Sequence, residues 1–211
     1  MNSIFTVLLL VGYSDLNPAK GFEDLYSHIF QYDNGALVEA EVRSLLALKD
    51  FEEDPVDPHA LEKDGLRFVI WNANVNCPGE DTYQVRRTRV CDQQVQRSRE
   101  IRRNLDEKLT RQFKEFIYLG HARHGNGLGI GPYFEEFTYK LAFYNTREAG
   151  ELERVVMATC DGNKYYRYNV AGRTKIDFEG TDGTKSWITD DLPMVLKEVD
   201  TLTRQFRRTA Q

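Results

Sequence analysis

The chain has 211 residues, of which 41% are hydrophobic and 29% are charged, and its formal net charge is −5. These values are typical of a folded protein with one good-sized core and argue against global disorder. Because 33 acidic residues outnumber 28 basic ones, the chain has no general cationic field of the kind that nucleic-acid binding needs. We therefore expect one domain over residues 1–211 that does not bind nucleic acid.

The first apolar run covers residues 4–11 and is the one candidate for a membrane or export signal. It is shorter than the roughly 20 residues that a membrane-spanning helix needs. It also lacks the basic flank and the cleavage site of a signal peptide. We interpret the run as a buried first strand and expect no membrane association.

The next part of the chain is predicted to contain two helices and a strand. Apolar residues at helical spacing favour an amphipathic helix over residues 21–32 and another over residues 36–51. Residues 52–58 are acidic and carry prolines, which is typical of a linker. A largely apolar run at residues 66–75 then predicts a strand in the interior of a sheet.

The clearest helix is predicted over residues 93–115, where one apolar stripe runs along an otherwise charged segment. It leads almost directly into a predicted strand at residues 116–119. A helix that packs on the strand after it is the order of a mainly parallel α/β sheet, in which active sites lie at the carboxyl ends of strands. We therefore predict an α/β fold with a mainly parallel sheet flanked by helices.

The remainder of the chain continues this alternation. Residues 133–144 are rich in aromatic side chains, and the sequence leaves their structure open. Four further elements are predicted after them: a strand at 155–159, the start of a short helix in 161–169, a strand at 174–178 and a closing helix at 188–206.

The three cysteines bear on the compartment in which the protein is found. Cys77 and Cys91 flank a polar segment, and their spacing suits a disulfide that closes a local loop. Cys160 is then left as an unpaired thiol. The expected location is secreted or periplasmic if the disulfide forms and cytoplasmic if all three thiols are free, because spacing alone does not fix the geometry.

Two predicted strands each end at a side chain that can take part in catalysis. His121 and His124 follow the strand at 116–119 in a glycine-rich loop, and Cys160 directly follows the strand at 155–159. A cysteine nucleophile needs thiolate character, an imidazole that moves protons and backbone amides that bind the oxyanion. The chain offers one set of these groups.

The segments around these residues resemble a known group of cysteine peptidases. Tyr-Leu-Gly-His at 118–121 and Val-Met-Ala-Thr-Cys at 156–160, each after a hydrophobic block, resemble the caspase, gingipain and legumain group, and most of all its bacterial caspase-like proteins. The resemblance implies a three-layer α/β/α sandwich with a mainly parallel sheet, in which the catalytic His and Cys end successive strands. The chain departs from the pattern at Ala122, where Gly is usual, and at Thr159, where Ala is usual.

The resemblance also implies catalytic roles. Cys160 is expected to be the nucleophile, and His121 is expected to donate a proton to the leaving amine. The amides of Cys160 and of the turn that contains Ala122 and Gly125 are expected to form the oxyanion hole. The implied reaction is the hydrolysis of a peptide bond in a protein or peptide substrate without a cofactor.

Substrate preference is left open by the sequence. In peptidases of this kind a charged or apolar pocket selects the residue before the cut, so a carboxylate there favours Arg or Lys and an arginine favours Asp. His124, Asp161 and Asp15 are the candidate substrate-binding residues, because each lies close to the end of a predicted strand.

Other interpretations of the same residues are possible. His121, His124 and Cys160 could bind zinc, but their spacing is not that of a helical zinc-binding pair, and we predict no metal. A nucleotide-binding loop is not expected, because Ile130 occupies the last glycine position of the motif and no helix start follows. A catalytically inactive caspase-like or α/β module, which binds a protein through residues 133–144, is the alternative function.

Overall fold

The structure is a computed structural model that describes residues 4–12, 34–73, 89–120, 128–130, 138–139, 149–159, 161–172, 174–183 and 192–209. Its centre is a sheet of seven strands in the order β2-β3-β4-β1-β5-β8-β9. The bounds of these strands are β1 Phe5–Val11, β2 Glu52–Glu53, β3 Ala60–Lys63, β4 Leu66–Asn72, β5 Glu115–Leu119, β8 Arg154–Ala158 and β9 Asp177–Gly180.

The sheet is mostly parallel. The strands β4, β1, β5, β8 and β9 are parallel to their neighbours, whereas β3 is antiparallel to β4 and β2 is antiparallel to β3. A separate two-stranded sheet pairs β6, Leu128–Gly129, with β7, Thr138–Tyr139. In chain order the five parallel strands are arranged 2-1-3-4-5, which is one of the common orders of doubly wound α/β sheets.

Helices cover both faces of the sheet. Their bounds are α1 Asn34–Ala47, α2 Arg89–Gln112, α3 Gly162–Val170 and α4 Leu192–Thr209. Apolar residues of α2 and α3 share one buried cluster with Leu8 and Leu10 of β1. Apolar residues of α1 and α4 share the other cluster with Val7 and Leu9. Because helices bury it on both faces, β1 is a continuous apolar run and does not alternate.

The prediction of an α/β fold with a mainly parallel sheet is confirmed. Each strand predicted at 4–11, 66–75, 116–119 and 155–159 has a counterpart in the sheet, and α1, α2, α3 and α4 correspond to predicted helical segments. The helix predicted over residues 21–32 lies outside the described residues. No helix in the described ranges is both long and apolar enough to cross a bilayer.

The predicted linker at residues 52–58 was partly wrong, because it contains β2 and leads into β3. Glu52 and Glu53 pair with Glu62 and Leu61 on the outer part of the sheet, where charged side chains remain in solvent. The predicted helix over 36–51 also ends early. Ala47 is its last residue, and Asp50 turns the chain with a φ of 61°.

The boundary between α2 and β5 was predicted wrongly at Glu115. This residue was assigned to the helix because of its charge, but it is the first residue of β5 and is 1% exposed. The strand predicted at 174–178 begins only at Asp177. The reason is Thr174, whose amide and hydroxyl both donate to the carbonyl oxygen of Val170, at 3.0 and 2.6 Å, and so belong to the end of α3.

Charged residues gather where β5, β8 and β9 begin. Arg154 donates to both carboxylate oxygens of Glu198, at 2.8 and 3.0 Å. It also donates to Glu179, at 2.5 Å, and to Asp177. Glu115 lies in the same group, and its Oε1 is buried without a hydrogen-bond partner among the described residues. Four carboxyl groups share one arginine in this cluster, which consists of Glu115, Asp177, Glu179, Glu198 and Arg154. Because Arg154 cannot neutralise all four, a proton on the buried Glu115 is favoured.

The pKa of Glu115 is displaced upward. Burial is the main cause and the negative charge of Glu198 adds to it, so that the pKa rises from an ordinary 4.5 to about 9. The Glu115 side chain is therefore an uncharged acid at neutral pH, which removes most of the cost of burying it at the start of a central strand.

Replacing Glu115 with Gln is expected to stabilise the protein above neutral pH. The unfolded chain releases the Glu115 proton near pH 4.5, whereas the folded chain holds it up to about pH 9. The wild type therefore loses stability from this group as the pH rises through that window, and the variant does not. Thermal unfolding should give a Tm about 3 °C higher for Glu115→Gln at pH 8 and a smaller gain at pH 5.

The control is Glu107→Gln, which removes an exposed carboxylate from α2 and should leave the Tm nearly unchanged at both pH values. Equal destabilisation of Glu115→Gln at pH 5 and pH 8 would instead mean that the folded protein carries a charged Glu115.

Candidate functional site

Most of the residues that the sequence singled out lie outside the described part of the chain. These are the two catalytic candidates Cys160 and His121, the oxyanion-hole candidates Ala122 and Gly125, and the substrate-binding candidates His124 and Asp15. Cys77 is also outside it, and of Cys91 only the backbone is described, in the first turn of α2. Asp161 is described. The structure thus bears on the site through the segments that flank these residues.

The strands that lead to His121 and Cys160 are hydrogen-bonded neighbours. In the parallel ladder of β5 and β8, Leu119 pairs with Ala158. One residue later, the amide of Gly120 donates to the carbonyl oxygen of Ala158 at 3.3 Å. The two strands therefore end at the same level on the same edge of the sheet, about 4.8 Å apart.

The first strand ends at this edge as well. Val11 pairs with Leu119, and the amide of Gly12 donates to the carbonyl oxygen of Leu119 at 2.8 Å. From β1 the chain passes first to β4 on one side and then to β5 on the other side, so the direction in which strands are added reverses between β1 and β5. In open α/β sheets such a reversal opens a crevice beyond the carboxyl ends of the strands, where ligands bind.

Tyr118 forms the buried floor beneath this edge. A Cβ at Gly12 would lie 2.4 Å from the Tyr118 ring, and a Cβ at Gly120 would lie 2.7 Å from its hydroxyl oxygen. The same hydroxyl accepts a 2.8 Å hydrogen bond from the amide of Gly129. One side chain therefore contacts both flanks of the loop that carries His121 and His124, and only glycine fits above its ring.

The far flank of the same loop is attached to α2. Arg102 donates a 2.5 Å hydrogen bond from its guanidinium group to the carbonyl oxygen of Ile130. Leu128 and Ile130 are fully buried. Together with the Tyr118 bond to Gly129, these contacts fix the position at which the chain returns from residues 121–127 to the core.

Thr181 supports the segment before Cys160. Its hydroxyl accepts a hydrogen bond from the amide of Thr159 at 3.3 Å and donates one to the Thr159 carbonyl oxygen. Its own amide donates to the carbonyl oxygen of Met157, also at 3.3 Å. Thr159 is completely buried, so these are bonds that water cannot replace. The turn between β8 and α3 is therefore held by β9 and its continuation.

Asp161 lies where α3 begins. Its φ of 53° and ψ of 33° place it in the left-handed region, and its side chain makes no capping hydrogen bond. This conformation is uncommon for a residue other than glycine. It turns the chain sharply into the helix and leaves the Asp161 carboxylate without a capping contact to α3.

The backbone amides at the start of α3 already donate hydrogen bonds within the protein. The amides of Asp161, Gly162 and Asn163 donate to the carbonyl oxygens of Gly183, Thr159 and Thr181, at 2.8, 3.2 and 3.0 Å. None of the three is free to bind an oxyanion. Donors for such a group would have to come from Cys160 itself or from the loop after Gly120.

Tyr118 and Thr181 were missed by the sequence interpretation. The one signal for Tyr118 is a hydroxyl within an otherwise apolar strand, which has to find a partner when it is buried. Thr181 follows a turn signal and gives no signal of its own. Neither contact can be derived from spacing, because both join segments that are distant in the chain.

Among the residues that the structure describes, no group of three or more His, Cys, Asp or Glu side chains is placed to bind a metal ion. Comparisons of the chain with protein-family models, curated protein sequences and solved structures find no significant match.

Replacing Thr181 with Val is expected to disturb the turn before Cys160. Val has nearly the same shape but leaves the buried amide of Thr159 without this acceptor, while the Thr159 carbonyl oxygen keeps only its bond from the Gly162 amide. The free energy of unfolding should therefore fall by about 1–3 kcal/mol. Denaturant unfolding measures this loss. Thr181→Ser keeps the hydroxyl and should lose about 1 kcal/mol or less, through its missing methyl group. Equal losses in both variants would contradict the assigned role of the hydroxyl.

Replacing Tyr118 with Phe is expected to loosen the return of the loop. The ring still packs below Gly12 and Gly120, but the Gly129 amide loses its acceptor, at a cost of about 1–3 kcal/mol. Hydrogen exchange of the Gly129 amide should accelerate in Tyr118→Phe. In the control Tyr168→Phe, which changes an exposed residue of α3, exchange at Gly129 should be unchanged; unchanged exchange in Tyr118→Phe would refute the bond.

Proposed function

We propose that the chain is a cysteine endopeptidase of the caspase-like type, in which Cys160 attacks the peptide carbonyl and His121 protonates the leaving amine. The observation that carries the proposal is the register of β5 and β8. Their last residues, Leu119 and Ala158, are paired, and each candidate follows its strand by two residues. This agrees with the resemblance, in which the catalytic His and Cys end successive strands of an α/β/α sandwich.

The environment of Cys160 supports a nucleophilic role. It comes two residues before the first residue of α3, a nine-residue helix that begins at Gly162, and the positive end of a helix dipole favours an anionic sulfur. The thiolate would attack the carbonyl carbon and form a tetrahedral intermediate that collapses when the amine leaves with a proton from His121. Water then hydrolyses the acyl-enzyme and regenerates the thiol.

The proposed oxyanion hole consists of the amides of Cys160, Ala122 and Gly125. The hydrogen bonds at the start of α3 make this choice more specific, because the amides of the residues that follow Cys160 in that turn are already bonded. The glycine-rich loop after Gly120 then has to supply the second donor. His124, Asp161 and Asp15 remain the proposed substrate-binding residues, with a protein or peptide as the substrate.

The second candidate function is a non-catalytic α/β module that binds a protein. The bonded amides of Asp161, Gly162 and Asn163 favour it, because a helix start without free donors contributes little to oxyanion binding. Thr159 Oγ1, which is buried without a hydrogen-bond partner among the described residues, is a further departure from the peptidase pattern next to the proposed nucleophile.

A peptide-library cleavage assay with the wild type and Cys160→Ala tests the proposal. The wild type should cleave a subset of the peptides, and Cys160→Ala and His121→Ala should each lower the cleavage rate by roughly 10³-fold or more, because both groups act in the same chemical step. His124→Ala is the comparison variant, since it removes the other imidazole of the loop. Because His124 is a proposed substrate-binding residue and not part of the dyad, this variant should raise KM and leave kcat within a few-fold of the wild type.

Thiol labelling separates the two candidate functions when no cleaved peptide is found. Near neutral pH an alkylating reagent should modify Cys160 faster than Cys77 or Cys91, and His121→Ala should slow the reaction. If Cys160 reacts no faster than the other two thiols, the peptidase proposal is refuted and the non-catalytic binding module is favoured.

A further inference from the structure

A cleft of about 620 Å³ lies between α2 and the outer part of the sheet, away from the ends of β5 and β8. Val69 and Trp71 of β4 line one side, and Phe113 lies at one end, in edge-to-face contact with Trp71 at 5.7 Å between ring centroids. The volume falls within the usual range of ligand-binding clefts. The cleft between these two secondary-structure elements thus combines apolar and aromatic side chains with several polar and charged ones.

One face of α2 forms the wall of this cleft. Its residues are Arg97, Ile101, Asn104, Lys108 and Gln112, at the spacing of four, three, four and four that aligns side chains along a helix. The row contains no carboxylate. It presents a cation near each end, with an apolar and an amide side chain between them.

The two cations of this wall have no acidic partner in the described part of the chain. Arg97 donates only to the carbonyl oxygen of Asn72, at 3.4 Å, and the Lys108 ammonium lies 5.9 Å from the centre of the Trp71 ring. By contrast Arg67, which also lines the cleft, bonds to Asp57 at 2.9 Å and to two further carboxylates. The positive charge of α2 is therefore available to an anionic ligand.

The spacing of these cations gives the length of the ligand. Lys108 comes eleven residues after Arg97 in the helix, which corresponds to about 16 Å along the axis. An extended chain covers that distance in about five residues. Because successive side chains of an extended chain point to opposite faces, two acidic side chains that meet both cations must lie an even number of residues apart. In a seven-residue segment the first and last side chains share a face and are about 20 Å apart. The long Arg, Lys and Glu side chains can bridge the remaining difference, and apolar side chains between them would contact Trp71 and Ile101.

We infer that the cleft between α2 and β4 binds an extended acidic peptide segment of another protein, through Arg97 and Lys108 at its ends and Trp71 between them. This goes beyond the proposed peptidase activity and does not depend on it. Single-stranded nucleic acid could also use cations and an aromatic ring. The peptide is favoured because the carboxylates around Arg67 lie on the other side of the cleft, where they would repel a continuous phosphate chain.

The fluorescence of Trp71 reports directly on binding in the cleft. The chain has two tryptophans, so Trp187→Phe leaves Trp71 as the one tryptophan, which is excited selectively at wavelengths that tyrosine does not absorb. Cys160→Ala in the same chain prevents cleavage of the probe. The probe is the peptide acetyl-Glu-Ala-Leu-Ala-Leu-Ala-Glu-amide, in which both Glu and both Leu side chains share one face of the extended chain. Titration of this double variant should change the Trp71 fluorescence in a saturable way, and the effect should weaken as salt is added.

Variants identify the residues that bind the probe. Arg97→Gln and Lys108→Gln should each weaken binding about tenfold, the loss expected for one charge-assisted contact. Arg103→Gln removes an equal charge from an exposed position of α2 that does not line the cleft, and it should bind as the parent does. A peptide with Gln in both Glu positions should bind more weakly than the acidic one.

Several outcomes would overturn the inference. They are the absence of a saturable fluorescence change, equal binding of the acidic and the Gln peptide, an equal loss in Arg103→Gln, or tighter binding of a six-nucleotide single strand than of the peptide. The peptidase proposal is untouched by each of these, because its test uses Cys160 and His121 and not the cleft.

Discussion

The parallel pairing of β1, β5 and β8 is the constraint on which the other features depend. These strands are covered by helices on both faces, so almost every side chain in them must be apolar and every backbone polar group must be bonded within the ladder. Residues 7–11 and 116–118 are fully buried. Side chains with reactive or charged groups are consequently displaced to the two edges where the strands begin and end.

Different kinds of polar group are buried at the two edges of the sheet. Where the strands begin, Glu115 is buried beside Arg154 and several carboxylates, and its raised pKa keeps it uncharged. Where they end, the buried bonds come from the neutral hydroxyls of Tyr118 and Thr181. These neutral hydroxyls hold backbone in place without adding a net charge to this edge. A site at that edge would therefore be governed by the groups that the loops supply, such as Asp161 or His121.

The sequence predicted the elements whose signal is local. An amphipathic stripe identifies α2, and a continuous apolar run identifies β1 and β8, because each pattern is imposed by burial along that one segment. The short strands β2 and β6 have no such pattern, since they exist only through a partner elsewhere in the sheet. Glu115 was misassigned for a related reason: its charge suggested solvent, and only its neighbours in the fold make it an uncharged, buried residue.

For the candidate site, too, the sequence predicted only the features that have a local signal. The sequence indicated that two strands end at His121 and Cys160, and the described strands do end side by side. It gave no indication of the Tyr118 floor or of the Thr181 contact with Thr159, because these depend on which segments the topology brings together. The cleft was not predicted for the same reason, because the row of α2 residues that lines it forms a wall only opposite β4.

The position of the cleft relative to the strand ends connects the two proposals. Asn72, the last residue of β4, lines the cleft, and β1 is the one strand that separates β4 from β5. Two strand spacings amount to about 10 Å, or roughly three residues of extended chain. A segment held along α2 could thus continue past Gly12 to the edge where β5 and β8 end. The charges in the cleft would then determine which segment is recognised, and the loops after β5 and β8 would carry the proposed reaction. Substitutions in the cleft could therefore change the preferred segment without changing the reaction.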